Sequence, residues 1–213
     1  MTPMGKYIPI HKRSIHEQIY HQEDLEVFKA LRAAMPPKKD LVMELSLHQC
    51  VFGPVLIGSD DVGRLVSLEF GRDSDECYRN FINTWGRKSN DYNDSVNVAP
   101  RQNMKIVDKV LQSINTGIID PSIELNLYGT GTYFQRQVWE GIRKIPAGEV
   151  MSYQQLAVAI NRPNSTRAIG NACGINPIAL FVPCHRVVRA DGKDVGFKWG
   201  LHLKQMLLDR EKI

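Results

Sequence analysis

Cysteine is scarce in this sequence: four residues in 213, Cys50, Cys77, Cys173 and Cys184, with no CxxC pair among them. That excludes a disulfide framework and gives no sign of a compact zinc site, so no metal is expected. Long apolar runs are missing as well. No stretch approaches the ~18 consecutive apolar residues of a membrane span, and the opening Met1-Thr2-Pro3-Met4-Gly5-Lys6-Tyr7 lacks the apolar segment of a secretory leader. The expected location is therefore cytoplasmic, or nuclear in a eukaryote, with no membrane partner. What is present, 43% apolar residues, can build the core of one medium domain or two small ones.

Charge is informative by its distribution. The net value is only +4, but residues 1–42 hold seven Lys/Arg against five Asp/Glu, residues 43–131 eight against twelve, and residues 132–213 twelve against six. The basic excess gathers in the C-terminal third, which favours polyanionic partners, nucleic acid first. An ordinary solvated basic face would give the same count, so charge alone does not decide.

Along the chain, residues 14–34 read as an amphipathic helix with Ser14 and Glu17 at capping-box spacing, ended by Pro36-Pro37. His11, His16 and His21 recur every five residues, a spacing that does not keep them on one helical face, so this is read as an N-terminal extension. From residue 43 the pattern changes to short β-type runs, Met43-Cys50, Pro54-Gly58 and Arg64-Phe70, separated by Gly and Asp turn signals. Helices are expected at about 74–85 and 101–115, joined by a polar connection at 88–100, and alternating Ile123, Leu125 and Leu127 predict another strand. Residues 43–128 read as a small N-terminal α/β domain with an antiparallel sheet. Residues 129–213 form a mostly helical second domain, and the whole is α+β.

That second part opens with a helix over Phe134-Ile145, stopped by Pro146-Ala147-Gly148. Ser152 can cap a helix over Tyr153-Ile160, and Ser165 another running to Gly174, with a tight turn at Asn161-Arg162-Pro163-Asn164. The spacing is compatible with a helix-turn-helix. Its second helix, Thr166-Arg167-Ala168-Ile169-Gly170-Asn171-Ala172-Cys173-Gly174, has one long cation and is otherwise rich in small side chains. Such a helix is poorly equipped to read base edges in the major groove; it suits a narrow groove and phosphate contacts. For Ala172 and Cys173, tight packing is the better reading.

The most specific segment is Asn176-Pro177, the apolar run Ile178-Val182, and then Pro183-Cys184-His185-Arg186-Val187-Val188. A β-rich run that ends at a proline delivers a cysteine and a histidine together. The thiolate is the nucleophilic form, and a neighbouring imidazole is the obvious base for making it. Adjacent residues often point in different directions, so a bridging water is as plausible as direct contact. A buried structural cysteine beside a histidine satisfies the same residues.

Pro183-Cys184-His185-Arg186-Val187, with Asn176 eight residues before the cysteine, resembles the active-site signature of the O6-alkylguanine-DNA alkyltransferases. The resemblance extends through Phe134-Gln135 and Val138-Trp139, Ile145-Pro146, Gly148-Glu149-Val150, Ser152-Tyr153-Gln154-Gln155-Leu156-Ala157, Arg167-Ala168, and Leu207-Leu208 with Glu211. Residues 132–213 resemble the family's active-site domain, most nearly that of the C-terminal half of the bacterial adaptive-response protein; residues 1–42 fall outside the match.

The resemblance implies direct-reversal DNA repair. Cys184 would take the alkyl group from O6 of a damaged guanine, with O4-methylthymine a second candidate, and keep it as a thioether, acting once per molecule without a cofactor. Cys184, a water, His185 and Glu211 would form a relay, with Asn176 bracing the loop. Arg167 would fill the gap left by a flipped nucleotide, and Gln154, Ser165, Thr166, Ala168 and Gly170 would complete the surface that a monomer lays into the minor groove of double-stranded DNA, largely without sequence preference. Tyr153, Val187, Phe197, Lys198 and Trp199 would line the base pocket, with the main-chain carbonyls of Cys184 and Val187 recognising the guanine amino group. Phe197 stands where many members carry tyrosine, and Trp199 where some carry glycine, so its bulk is expected to narrow the pocket. The alternative is a non-catalytic protein that binds alkylated DNA; such proteins share the scaffold but lack the cysteine. A cysteine hydrolase is disfavoured, because no separate signature for releasing an acyl intermediate is present.

Overall fold

A two-residue connection, Val51-Phe52, folds strand β1 (Leu41–Cys50) back on β2 (Gly53–Asp60), with Cys50 opposite Gly53 and Met43 opposite Asp60. Gly53 takes φ +98°, a left-handed conformation that costs glycine little. Strand β3 (Leu65–Phe70) pairs antiparallel with β2 across an irregularity at Gly58/Ser59. The computed structural model describes residues 41–85, 96–99, 104–127, 131–191 and 196–212, so the expected helix at 14–34 and His11, His16 and His21 lie outside the described residues.

The 88–100 connection is not wholly irregular: Val96–Ala99 forms β4, parallel to β1, giving the order β3-β2-β1-β4. Valine at two of its four positions suits extended backbone, and the ladder to β1 supplies partners that no local pattern shows. Helix α1 (Ser74–Trp85) buries Cys77, Tyr78, Phe81 and Trp85 at helical spacing, and these cluster with Met43, Leu45, Leu56 and Val66. Val55, Ile57, Leu65, Leu68 and Phe70 join a second cluster that includes Val110 and Ile114 of α2 (Met104–Thr116) and runs into the C-terminal residues Val138, Trp139, Leu156, Ile169, Val182 and Leu207. The sheet is therefore buried on both sides, and all six residues of β3 are buried.

The expected strand at 123–127 is reduced to a single bridge between Leu125 and Leu65, with Leu65 N–H donating to Glu124 O at 2.8 Å and Asn126 N–H to Leu65 O at 2.9 Å. Further pairing is blocked because the next part of the β3 edge is taken by the C-terminal region: Leu68 N–H donates to Pro177 O at 2.9 Å, and Ala179 N–H to Leu68 O at 3.1 Å. An open sheet edge is thus covered twice.

The C-terminal region carries α3 (Tyr133–Arg143), α4 (Tyr153–Ala159), α5 (Thr166–Gly174) and α6 (Leu201–Glu211), with a two-strand ladder of β5 (Met151–Ser152) and β6 (Val187–Val188). Thr132 with Gln135, and Ser152 with Gln155, form reciprocal capping boxes. Ser165 does not cap α5 with its side chain, since its backbone (φ −103°, ψ 17°) is not extended. The small residues of α5 permit close packing on α3, where Trp139 Nε1 donates to Ala172 O at 3.0 Å. Because Leu68 is fully buried where the two halves meet, Leu68→Ala is expected to cost about 2–5 kcal/mol in urea unfolding, with fluorescence and far-UV circular dichroism losing signal in one transition.

Candidate active site

The apolar run before the cysteine is not a strand. Residues 178–182 form a tight turn: Val182 N–H donates to Ile178 O at 3.0 Å, Phe181 N–H to Ala179 O at 2.7 Å, and Leu180 takes φ +66°. A branched residue in the left-handed region is strained. Asn176, fully buried, holds this turn from inside. Its Oδ1 accepts from Ile178 N–H at 3.0 Å, while Nδ2 donates to Val182 O at 2.7 Å and to Cys184 Sγ at 3.1 Å. One amide therefore fixes the turn and meets the sulfur.

Cys184 opens a short 3₁₀ turn with His185 and Arg186 and is itself only 5% exposed. Burial pushes its thiol up to about 11, against the opposing pull of the Asn176 hydrogen bond and the Lys198 and Lys204 cations. Glu211, at the end of α6, meets the adjoining histidine: Oε1 lies 2.8 Å from His185 Nε2. Arg186 donates to both carboxylate oxygens, Nε at 2.9 Å and Nη2 at 2.8 Å, and Gly148 N–H reaches Oε2 at 3.3 Å. Burial would raise the Glu211 carboxyl, but the hydrogen bonds from His185 and Arg186 prevail and hold it down at about 2.

This ionisation decides the tautomer. A carboxylate only accepts, so Nε2 must carry the ring proton, which leaves Nδ1 with the lone pair. His185 is fully buried, and Nδ1 has no hydrogen-bond partner among the described residues. Burial also lowers the histidine's proton affinity, only partly offset by Glu211, so the ring is neutral at pH 7 and able to accept. The arrangement is a neutral thiol beside an imidazole base oriented by a carboxylate.

The thiol faces a cleft of about 770 Å³ lined by Tyr153, Arg167, Gly170, Cys184, Phe197 and Lys198 among others. Arg167 and Ala168 are exposed on α5, and Gly170 faces Tyr153: a Cβ placed on the glycine would lie 3.9 Å from Tyr153 Cε1. Gln154 and Thr166 bond each other, Oγ1 donating to Oε1 at 2.8 Å, and Gln154 Nε2 donates to Pro163 O at 3.1 Å, so both also lock the turn between α4 and α5.

Two expectations for the pocket are corrected. Val187, in β6, buries its side chain and does not line the cleft with it, which leaves the expected role of its main-chain carbonyl untouched; that carbonyl accepts from Lys204 Nζ at 3.1 Å, and the Val187 N–H donates to Cys184 O. Trp199 does not line the cleft either. Its indole turns to the N-terminal sheet, where Nε1 donates to Glu69 Oε2 at 2.7 Å and the ring meets Phe197 edge-on at 5.2 Å. The hydrogen bond offered by a buried carboxylate outweighs the space at the rim.

Sequence reasoning missed Glu69 and Arg186. Arg186 stood inside the signature, and Glu69 carried a signal, a lone acid in the apolar run Leu65-Phe70. Cys173 lines the same cleft as Cys184, but burial lifts its thiol well above the usual range.

Comparison with known proteins agrees with this geometry. Residues 133–213 match the family described as 6-O-methylguanine DNA methyltransferase, DNA binding domain. A methylated-DNA–protein-cysteine methyltransferase of Methanosarcina acetivorans is 33% identical over 169 residues, covering 79% of this chain and 98% of that protein. The regulatory protein ada of Salmonella typhimurium is 48% identical over 105 residues, 49% of this chain; this chain spans only 29% of that longer relative. The crystal structure of Mycobacterium tuberculosis OGT in complex with DNA superposes with a TM-score of 0.59 at 29% identity, covering 80% of this chain and 92% of that one. The chain belongs to the methylated-DNA–protein-cysteine methyltransferase family.

If His185 is the internal base, transfer to Cys184 should vary little between pH 7 and 9, since the proton has a fixed acceptor. In His185→Gln the rate should be low at pH 7 and rise about tenfold per unit toward the thiol's own ionisation. Stopped-flow alkylation across that range checks this, and parallel profiles for the two proteins would remove the histidine from the proton path.

Proposed function

We propose that this protein repairs alkylated DNA by moving the alkyl group from O6 of guanine onto Cys184. One observation carries the reading: a buried thiol bonded by Asn176 faces a cleft beside a histidine whose tautomer is set by Glu211. The proton leaves Sγ for His185 Nδ1 through a bridging water, since Nδ1 has no hydrogen-bond partner among the described residues. Sγ then forms a bond to the alkyl carbon as the bond from that carbon to O6 breaks, and the electron pair leaves with the guanine. The thioether does not hydrolyse, so each molecule acts once, and no methyl donor or cofactor enters.

A base inside the duplex cannot present its alkyl carbon in line with a thiol held 5% exposed, so the nucleotide must leave the stack. Tyr153, Gly170, Phe197 and Lys198 supply the walls that receive it. Exposed Arg167 at the cleft edge is assigned to the gap left in the stack. The basic surface of the region and the small α5 side chains suit the minor groove, with Gln154, Ser165, Thr166, Ala168 and Gly170 along the contact. The guanine amino group would meet the main-chain carbonyls of Cys184 and Val187, since a carbonyl oxygen can accept more than one hydrogen bond.

Intact mass after incubation with O6-methylguanine duplex tests the reading. A stable gain of about 14 Da on Cys184 (arithmetic for CH2; a covalent nucleophile keeps what it takes), absent in Cys184→Ala, is expected, with DNA binding retained by that variant. Unchanged native mass with tight binding would make it a non-catalytic binder instead. Arg167→Ala should slow repair of duplex by roughly tenfold to a hundredfold, in line with an unstacking cost of a few kcal/mol, while reaction with free O6-methylguanine base stays near native. Equal slowing on both substrates would assign Arg167 to pocket structure rather than to extrusion.

A further inference from the structure

The loop that walls the cleft is fastened to the N-terminal sheet by an ion pair that the proposed chemistry does not use. Glu69 is fully buried on β3. Its Oε1 accepts from Lys198 Nζ at 2.6 Å and from Thr84 Oγ1 of α1 at 3.0 Å, and Oε2 accepts from Trp199 Nε1 at 2.7 Å. Lys198 Nζ also meets Thr84 Oγ1, donates to Asn176 O at 3.1 Å and lies over the Trp199 ring at 4.9 Å. One carboxylate thus gathers β3, α1, the pocket loop and, through the lysine, the residue whose amide touches the reactive sulfur.

Burying a carboxylate and an ammonium is costly, and their attraction commonly does little more than offset it, so net stability is a poor reason for the pair. What such a cluster supplies is geometry. Lys198 lines the cleft with Gly196 and Phe197 while its charge is turned inward to Glu69, so the position of that wall relative to Cys184 is set from the sheet. We propose that Glu69 is a positioning residue for alkyl transfer, holding the wall at 196–198 through Lys198 and the adjoining Trp199 so that the N-terminal sheet governs the rate at Cys184. The inference rests on the alkyltransferase reading above.

The test uses the full chain and free O6-benzylguanine as probe, with Cys184 alkylation followed against probe concentration to separate the limiting rate from the half-saturating concentration. Glu69→Leu combined with Lys198→Met replaces both charges by apolar groups and is expected to unfold in urea near the native midpoint. Its limiting rate should fall about tenfold, since a wall free to shift misaligns the reacting atoms, with half-saturation changed less than about threefold because Tyr153, Gly170 and Phe197 still line the cleft and the methionine replacing Lys198 keeps an apolar stem there. A double variant as stable as native that reacts at the native limiting rate overturns the proposal. Should it fail to fold, Glu69→Gln, nearly isosteric, is measured in the same way and read by the same limiting rate. Failure of the alkyltransferase reading itself is seen separately, as native protein that gains no mass.

Discussion

Glu211 closes the last helix with a carboxylate that accepts from His185, from Arg186 and from the Gly148 amide, drawing together segments that lie far apart in the chain. Because it remains ionised, it can only accept, and that constraint spreads outward. It fixes the imidazole tautomer, aligns the guanidinium so that Arg186 Nη1 reaches Ile145 O at 2.6 Å, and seats the end of α6 against the turn after α3. A fully buried imidazole without such a partner would be free to adopt either tautomer, and the proposed proton path from Cys184 would have no preferred direction.

Reactivity in this site comes from context rather than from a generally acidic thiol. Burial raises Cys77 to about 12, Cys173 well above the ordinary range and Cys184 to about 11, so no simple difference in acidity separates the three. What sets Cys184 apart is its place: an amide N–H on the sulfur, a neighbouring base and a cleft before it. A resting thiol held neutral is protected from indiscriminate alkylation and oxidation. Under the proposed reaction, which consumes the protein, that protection matters.

The edge of β3 couples the two halves. Residues 124–126 take its first part and residues 177–179 the second, so the turn that delivers Cys184 is hydrogen-bonded to the N-terminal sheet. The inner face of that sheet shares one apolar cluster with the C-terminal helices. The N-terminal region carries none of the proposed chemistry, yet it supplies the surface on which the reactive turn and the pocket loop are built.

The local elements were legible because their causes are local. Short β-type runs separated by Gly and Asp turns marked β1 to β3, Ser152 marked the start of α4, and the small side chains of α5 marked close packing. The signature around Cys184 named the family because residue identities at fixed spacing survive without coordinates. Other features were beyond that reach. The run Ile178-Val182 has a strand's composition, but Asn176 folds it into a turn, and residues 123–127 lost their strand to competition for one sheet edge. Trp199 looked like a pocket residue until Glu69, 130 positions away in sequence, offered its indole a hydrogen bond. Sequence by itself determined which residues could react and which segments would coil or extend, since those follow from side-chain chemistry and near neighbours. Only tertiary structure decided which buried charges meet, because pairing Glu69 with Lys198 or His185 with Glu211 depends on how distant segments share the same dry space, where an unpaired charge is costly.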